Sequence, residues 1–494
     1  LCGVNVKKGL ILFLCFLLLV TCAPLAKAEA EEAAVYTTTS TYIVQNTGSN
    51  QALNVRVLIY LFDDVSGWGN QEVLSESITV DGEPISPEIF RTEDNRWTRI
   101  SLDNFEPGQT KVIEVVQVLK VGVIDFDIDP EGVGTDIPQD ALIYTRPVDG
   151  LWQSDNPTIQ SVAQQFTEGA TNLYSKTRQI FDQILEQPDG ETLLSYQIQN
   201  QEHDALWALQ SKMGDCTEFS NLMVALLRAT GIPAKVVSGY AFLPLYSPTG
   251  STGDIGQLAH AYVICYLPNY GWVPLDAVWP RYTGSFGSTD YAHIAGASIV
   301  GEGSVKNDGI KWLSPGYIST NWQYFTGQAT NVDGNAGPGA IEAEILVSST
   351  LSNPSTINDG LMTITLTTKN MGKSDATNLV AELDLDDGMF EVVSQSQEKS
   401  GLGSQEEWVT SFDVRVKEPA YGTTQELKAK VAFDSADGEI SGTFLSTGSL
   451  TVAIPAVTTS PPPVTTPAGD FTMYIIIGVI AAVAIIAVVA LKRR

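Results

Sequence analysis

A chain of 494 residues is too long for one hydrophobic core and is expected to fold as several domains. Its 57 acidic against 28 basic residues leave a formal charge of −29, which excludes nucleic acid and repels anionic lipid as partners. Three of the five cysteines fall within the first 22 residues, so no disulfide framework is available to the remainder.

Residues 1–28 read as a secretory signal, with Lys7 and Lys8 before an apolar run and Ala26-Lys27-Ala28 as a small-residue cleavage site. Acylation of Cys22 is the rival reading, weakened by Thr21 in front of it. Residues 29–148 are predicted as a β-sandwich domain. Segments 36–44 and 54–61 alternate polar and apolar residues and are joined by Asn46-Thr47-Gly48-Ser49. Asp125, Asp127 and Asp129 alternate with Phe126 and Ile128, which suits a strand. Pro130 stands where a calcium loop needs glycine.

Residues 149–330 carry helical periodicity followed by strands. Asn156 caps and Pro157 starts one helix with Ile159, Val162, Ala163 and Phe166 on its stripe; a second places Leu173, Thr177, Ile180, Phe181 and Ile184 on one face. The chemistry begins at Gly214-Asp215-Cys216-Thr217-Glu218. Asp215 reads as an N-cap with Glu218 as its capping-box partner, which puts Cys216 at the first helical position. Unpaired N–H groups and the positive dipole end there favour a thiolate, the nucleophilic form of cysteine. Phe219, Leu222, Met223, Leu226 and Leu227 form that helix's apolar stripe, and Gly231 and Pro233 stop it.

Three strands are expected next, at 234–240, 258–267 and 272–276. In the second, His260 shares a face with Tyr262, Ile264 and Tyr266, while Cys265 points the other way as an inert core residue. His260 and Asp276 are 16 residues apart about Pro268, so a hairpin centred there sets them opposite each other. His203 and His293 are expected at the surface or behind the site, with no metal-ligand spacing. The Gly-rich stretch 244–256 is a candidate lid.

The blocks Gly214-Asp215-Cys216, Leu227-Arg228-Ala229-Thr230-Gly231-Ile232-Pro233-Ala234, His260-Ala261-Tyr262-Val263 and Gly271-Trp272-Val273-Pro274-Leu275-Asp276 occur in one order. That order resembles the transglutaminase-like superfamily. The resemblance covers about 150–300 and implies a papain-like α+β core, with a helix-borne Cys packed on a sheet bearing His and Asp. It departs from the family after the Asp, where Ala277-Val278-Trp279-Pro280 replaces the frequent Pro-Thr.

Beyond a Gly/Asn-rich boundary at 331–339, residues 340–456 are predicted as an immunoglobulin-like β-sandwich. Asn370, Gly372, Ala376 and Asn378 repeat the spacing of Asn46, Gly48, Ala52 and Asn54, which points to one hairpin type used twice. The two β-rich regions read as spacers or adhesion modules. Asp384, Asp386 and Asp387 are no more a calcium site than the earlier aspartates. A Pro/Thr stalk at 457–470 leads to an apolar run at 471–491, expected to cross a membrane, and Lys492-Arg493-Arg494 marks its cytoplasmic side.

The expected protein is a type I, cell-membrane-anchored enzyme with an extracellular ectodomain, acting on peptide or protein carboxamides. Cys216 is the nucleophile, His260 the base and Asp276 the group that orients it. The Cys216 N–H together with Gln210 or Trp207 is expected to hold the oxyanion. No cofactor or metal is called for. The alternative is a catalytically idle surface module that binds peptides or envelope proteins.

Overall fold

The computed structural model describes residues 30–92, 95–185, 193–199, 201–242, 259–280, 282–300, 324–328, 332–336, 340–437, 440 and 442–456. The expected signal, Cys22, the 244–256 lid, the stalk and the 471–491 span lie outside them. Among the described residues no helix is long and apolar enough to cross a membrane.

Two β-sandwiches flank a mixed α/β layer. In the first, Glu31–Asn46 pairs with Thr110–Gly122, which pairs in turn with Asn70–Val80. The facing sheet runs Tyr324–Gln328, Ala52–Leu61, Asn95–Phe105, Glu88–Thr92. Alternating side chains of both sheets, among them Tyr42, Val57, Trp97 and Phe105, fill the space between them. The last sandwich sets Ala376–Asp384, Thr424–Ser435 and Thr443–Ala453 against Leu361–Asn370 and Glu407–Val416. The strict alternation of Leu361–Asn370 buries Met362, Ile364 and Leu366 there. Glu31 and Glu32 pair with Phe444 and Leu445, joining the two into one ten-stranded sheet.

The repeated Asn motif is present in both sandwiches, but the turns are not hairpins. Glu31–Asn46 and Ala52–Leu61 lie in different sheets, as do Leu361–Asn370 and Ala376–Asp384, so each turn arches from one sheet to the other. A buried asparagine organises each arch. Asn46 accepts from the Gly48 N–H at 3.0 Å and donates to Asn50 O and Phe105 O at 2.9 and 3.0 Å. Asn370 accepts from the Gly372 N–H at 3.0 Å and donates to Ser374 O and Leu402 O, both at 2.9 Å. Period-2 alternation is the same for an arch and a hairpin, so it could not separate them.

Among the described residues the middle layer holds four α-helices, α1 (Pro157–Phe166), α2 (Leu173–Ile184), α3 (Ala205–Ser211) and α4 (Cys216–Ala229). They pack against a sheet whose main strands are β1 (Ala234–Ala241), β2 (Ala259–Leu267), β3 (Gly271–Asp276) and β4 (His293–Val300). The spatial order is Ser285–Phe286, β3, β2, β1, β4. Its core extends upstream of residue 149, since Val133 and Val148 join it and Ile124–Asp125 pairs with Ser288–Thr289. Asp125 is the only one of the three early aspartates in a strand; Asp129 caps the short helix Pro130–Gly132. Tyr324–Gln328, placed by sequence in the middle domain, instead extends the first sandwich through its pairing with Ala52–Leu61.

The first sandwich is more than a spacer. Val65 and Trp68 cover the outer face of the sheet around Tyr262 and Ile264. Gln71 clamps β4, accepting from the Ala295 N–H at 2.9 Å and donating to Ala295 O at 3.0 Å.

Candidate active site

Cys216 opens α4 as expected. The Asp215 carboxylate accepts from the Thr217 N–H at 3.0 Å, and the Glu218 carboxylate accepts from the Asp215 N–H at 2.9 Å. The predicted stripe is buried, and so is every other residue from Thr217 to Arg228. β2 covers one side of α4 while α1, α2 and α3 cover the others, so the helix runs through the core instead of along its surface. Even Arg228 is enclosed, with Nη2 donating to Ala234 O at 2.8 Å and the guanidinium 4.6 Å over the Trp152 ring.

Ala261 fastens this helix to the sheet. Its carbonyl accepts from Ser220 Oγ at 3.2 Å, and its backbone N–H lies near enough to the Cys216 thiol to favour the thiolate. The thiol therefore sits beside the strand residue that follows His260. His260 and Asp276 meet as predicted, with His260 Nε2 donating to Asp276 Oδ2 at 2.6 Å and both side chains almost fully enclosed.

The route to that contact differs from the expected one. β2 and β3 pair Val263 with Leu275 and Leu267 with Gly271, so the hairpin is centred at Asn269. Asp276 is two positions out of register with His260. A shift of two keeps the facing unchanged, and the side chains reach each other along a diagonal. Asn269 at φ 77° supplies the left-handed turn residue that moved the centre by one.

Asp276 Oδ1 accepts from the N–H groups of Val278 and Trp279 at 2.8 and 3.0 Å. The family-atypical Ala277-Val278-Trp279 segment thus anchors the carboxylate, and the Trp279 ring stands edge-on 6.1 Å from His260.

His293 is the residue that sequence reasoning undervalued. It is buried, at the start of β4, and donates from Nε2 to Asp276 Oδ2 at 3.1 Å. β4 was not anticipated because its Ala, Gly and Ser residues give a weak strand signal. It closes on β1 through a bulge after Ser238, where a Cβ on Gly239 would stand 2.1 Å from Ile294 O. Burial alone would raise the Asp276 carboxyl, but the His260 and His293 rings hold it below the usual carboxylate range. His260, Asp276 and His293 each offer one ligand atom within 4.8 Å of the others, and a cation meeting Asp276 Oδ2 there would have to displace the protons of its two ring bonds.

The thiol is not the ready thiolate that its helix position suggested. Burial first, and the Asp215 carboxylate second, push Cys216 well above its ordinary value, with the Ala261 N–H acting the other way. The cap adds to the effect of burial. Asp215 takes up the Thr217 N–H at the helix end and places its negative charge beside the sulfur, 4.0 Å away at Asp215 Oδ1. Cys265 is fully buried and also raised by burial, consistent with a core role.

The two expected oxyanion donors lie on α3. Trp207 stacks on the His203 ring at 3.7 Å, and the His203 N–H donates to Glu218 at 2.8 Å. Gln210 is exposed. Among the described residues, no hydrogen bond brings either to Cys216.

The stretch 160–277, which contains the Cys, His and Asp, matches the sequence model of the Transglutaminase-like superfamily. Residues 160–277 form a transglutaminase-like domain. The uncharacterized protein YebA of Bacillus subtilis is 28% identical over 129 residues, covering 24% of this chain and 17% of its own. A protein-glutamine gamma-glutamyltransferase of Pseudomonas aeruginosa is 37% identical over 70 residues, covering 14% of this chain and 10% of its own. The chain thus spans less than a fifth of either relative. A Cytophaga hutchinsonii crystal structure, named as that of a candidate cysteine protease, is 19% identical and covers 63% of this chain and 98% of its own, with a TM-score of 0.38.

Proposed function

We propose that this chain is an extracellular, membrane-anchored enzyme whose transglutaminase-like domain transfers acyl groups from carboxamides through a thioester on Cys216. The observation that carries the reading is the buried His260–Asp276 bond at 2.6 Å beside a helix-borne thiol. Since the resting thiol is held protonated, attack and deprotonation are coupled. His260 takes the Cys216 proton as sulfur bonds the carbonyl carbon, then gives it to the departing nitrogen. Asp276 holds the imidazole in the orientation both transfers need. Water then releases an acid, or a lysine amine forms a new amide; both return the thiol. The extracellular address is drawn from the two apolar stretches at 10–20 and 471–491.

The competing reading is an idle surface module that binds peptides. The raised thiol favours it; the ordered His–Asp pair speaks against it, because binding alone does not require that pair. Incubating the chain with a glutaminyl peptide, with and without a primary amine, separates the two. Ammonia release is expected in both cases, and amine incorporation identifies transamidation. Peptide binding with no ammonia from any of a panel of peptides would establish the module.

A further inference from the structure

We propose that His293 is a positioning residue of this site: as an imidazolium held between Asp276 and Asp290, it fixes the carboxylate under His260 and connects it to the protein surface. The inference rests on the Cys–His–Asp reading above and extends it to a fourth and a fifth residue.

The charge follows from hydrogen-bond bookkeeping. His293 Nε2 lies 3.1 Å from Asp276 Oδ2, and Nδ1 lies 2.8 Å from Asp290 Oδ1. Two carboxylates offer no protons, so both ring nitrogens must donate, and only the imidazolium carries both hydrogens. The groups facing the ring are Asp290 from its own turn, Asp276 from β3, and His260 and Tyr262 from β2, with Glu32 of the first sandwich near Asp290. Burial works against the charge, but Asp290 and Asp276 outweigh it and lift the ring to about 10.

The ring has little freedom to leave. Asp290 Oδ1 also accepts from the Ala292 N–H at 2.9 Å, and the Tyr36 hydroxyl donates to Tyr291 O at 2.7 Å. The first sandwich thereby holds the turn that carries His293. A hydrogen-bonded line runs from His260 through Asp276 and His293 to Asp290, whose side chain is 41% exposed while both rings are 2% exposed.

A fixed positive charge beside Asp276 has a defined effect on the site. The imidazolium holds Asp276 Oδ2 by a charge-assisted bond beside the His260 ring, 5.6 Å away between centroids, so the carboxylate stays ordered under that ring.

The chain has only three histidines, so nitrogen-15 spectra of the histidine-labelled full chain resolve each ring. His293 is expected to keep both protons from pH 6 to 9. Asp290→Asn, a change at a part-exposed position, should return it to titration near pH 6.5, the ordinary histidine value, within about one unit. In both Asp290→Asn and His293→Gln, assayed near pH 8, kcat should fall about tenfold with KM little changed, because the carboxylate that orients His260 loses a charged partner. A wild-type His293 that titrates near pH 6.5 would overturn the proposal. So would an unchanged kcat in both variants, even with a loss of stability, since that is what a purely structural residue gives. The spectra need no turnover. An inactive wild type would sink the enzyme reading of the preceding section, while the titration would still decide the state of His293.

Discussion

Cys216→Ala is expected to abolish turnover of carboxamide substrates while the chain remains folded. Alanine is favourable in a helix, and the Asp215–Glu218 capping box is made by backbone and carboxylate groups that the change does not touch. The loss of a part-buried sulfur should cost only about 1 kcal/mol of stability. Without a nucleophile no thioester forms, and the remaining groups cannot compensate, because members of such a unit act together. Cys265→Ala should show the opposite signature. Cys265 is packed among Val263, Leu267 and other core residues, so stability falls while turnover survives. Activity assays and thermal melts of the two variants separate these outcomes; equal activity in Cys216→Ala and wild type would rule out the thiol mechanism.

The second large effect is at Asp276. Four N–H groups converge on this carboxylate: His260 and His293 on Oδ2, and Val278 and Trp279 on Oδ1. Only a group that accepts at both oxygens satisfies them. In Asp276→Asn the amide NH2 must face either the two rings or the two backbone donors, and neither orientation is tolerable. Leaving buried donors unmet costs about 1–3 kcal/mol each, so a loss of roughly 2–4 kcal/mol in stability is expected. Activity should fall by about 10⁴-fold, the scale seen when a triad carboxylate is replaced by its amide. His260→Ala should be equally inactive but closer to wild type in stability, since it removes one donor instead of stranding several. Melting curves alongside kcat for both variants test this ordering. An active, stable Asp276→Asn would mean the carboxylate has no orienting role.

Much of the site was legible because local chemistry sets it. Asp215 and Glu218 announced the helix start, and the parity of His260 and Asp276 survived a register error because a shift of two does not change the face. The arches were misread as hairpins since alternation reports which face is buried and says nothing of which sheet a strand joins. His293 escaped notice because its strand is built from small residues, and its role depends on β4 closing across β1, a non-local pairing. The sulfur's environment was misjudged for a related reason. The helix end was counted as free positive charge, yet burial and the Asp215 carboxylate that caps the helix outweigh it at the sulfur.

The central claim is a covalent bond between substrate and Cys216, and intact-mass analysis after rapid acid quench measures it directly. With a glutaminyl peptide or its activated ester, the full chain should gain one acyl mass, mapped to Cys216 and discharged by hydroxylamine. The adduct should be missing from Cys216→Ala and should accumulate when His260 is replaced, if it forms at all, only over much longer times. Turnover without an adduct at Cys216, or an adduct at another residue, would contradict the thioester mechanism.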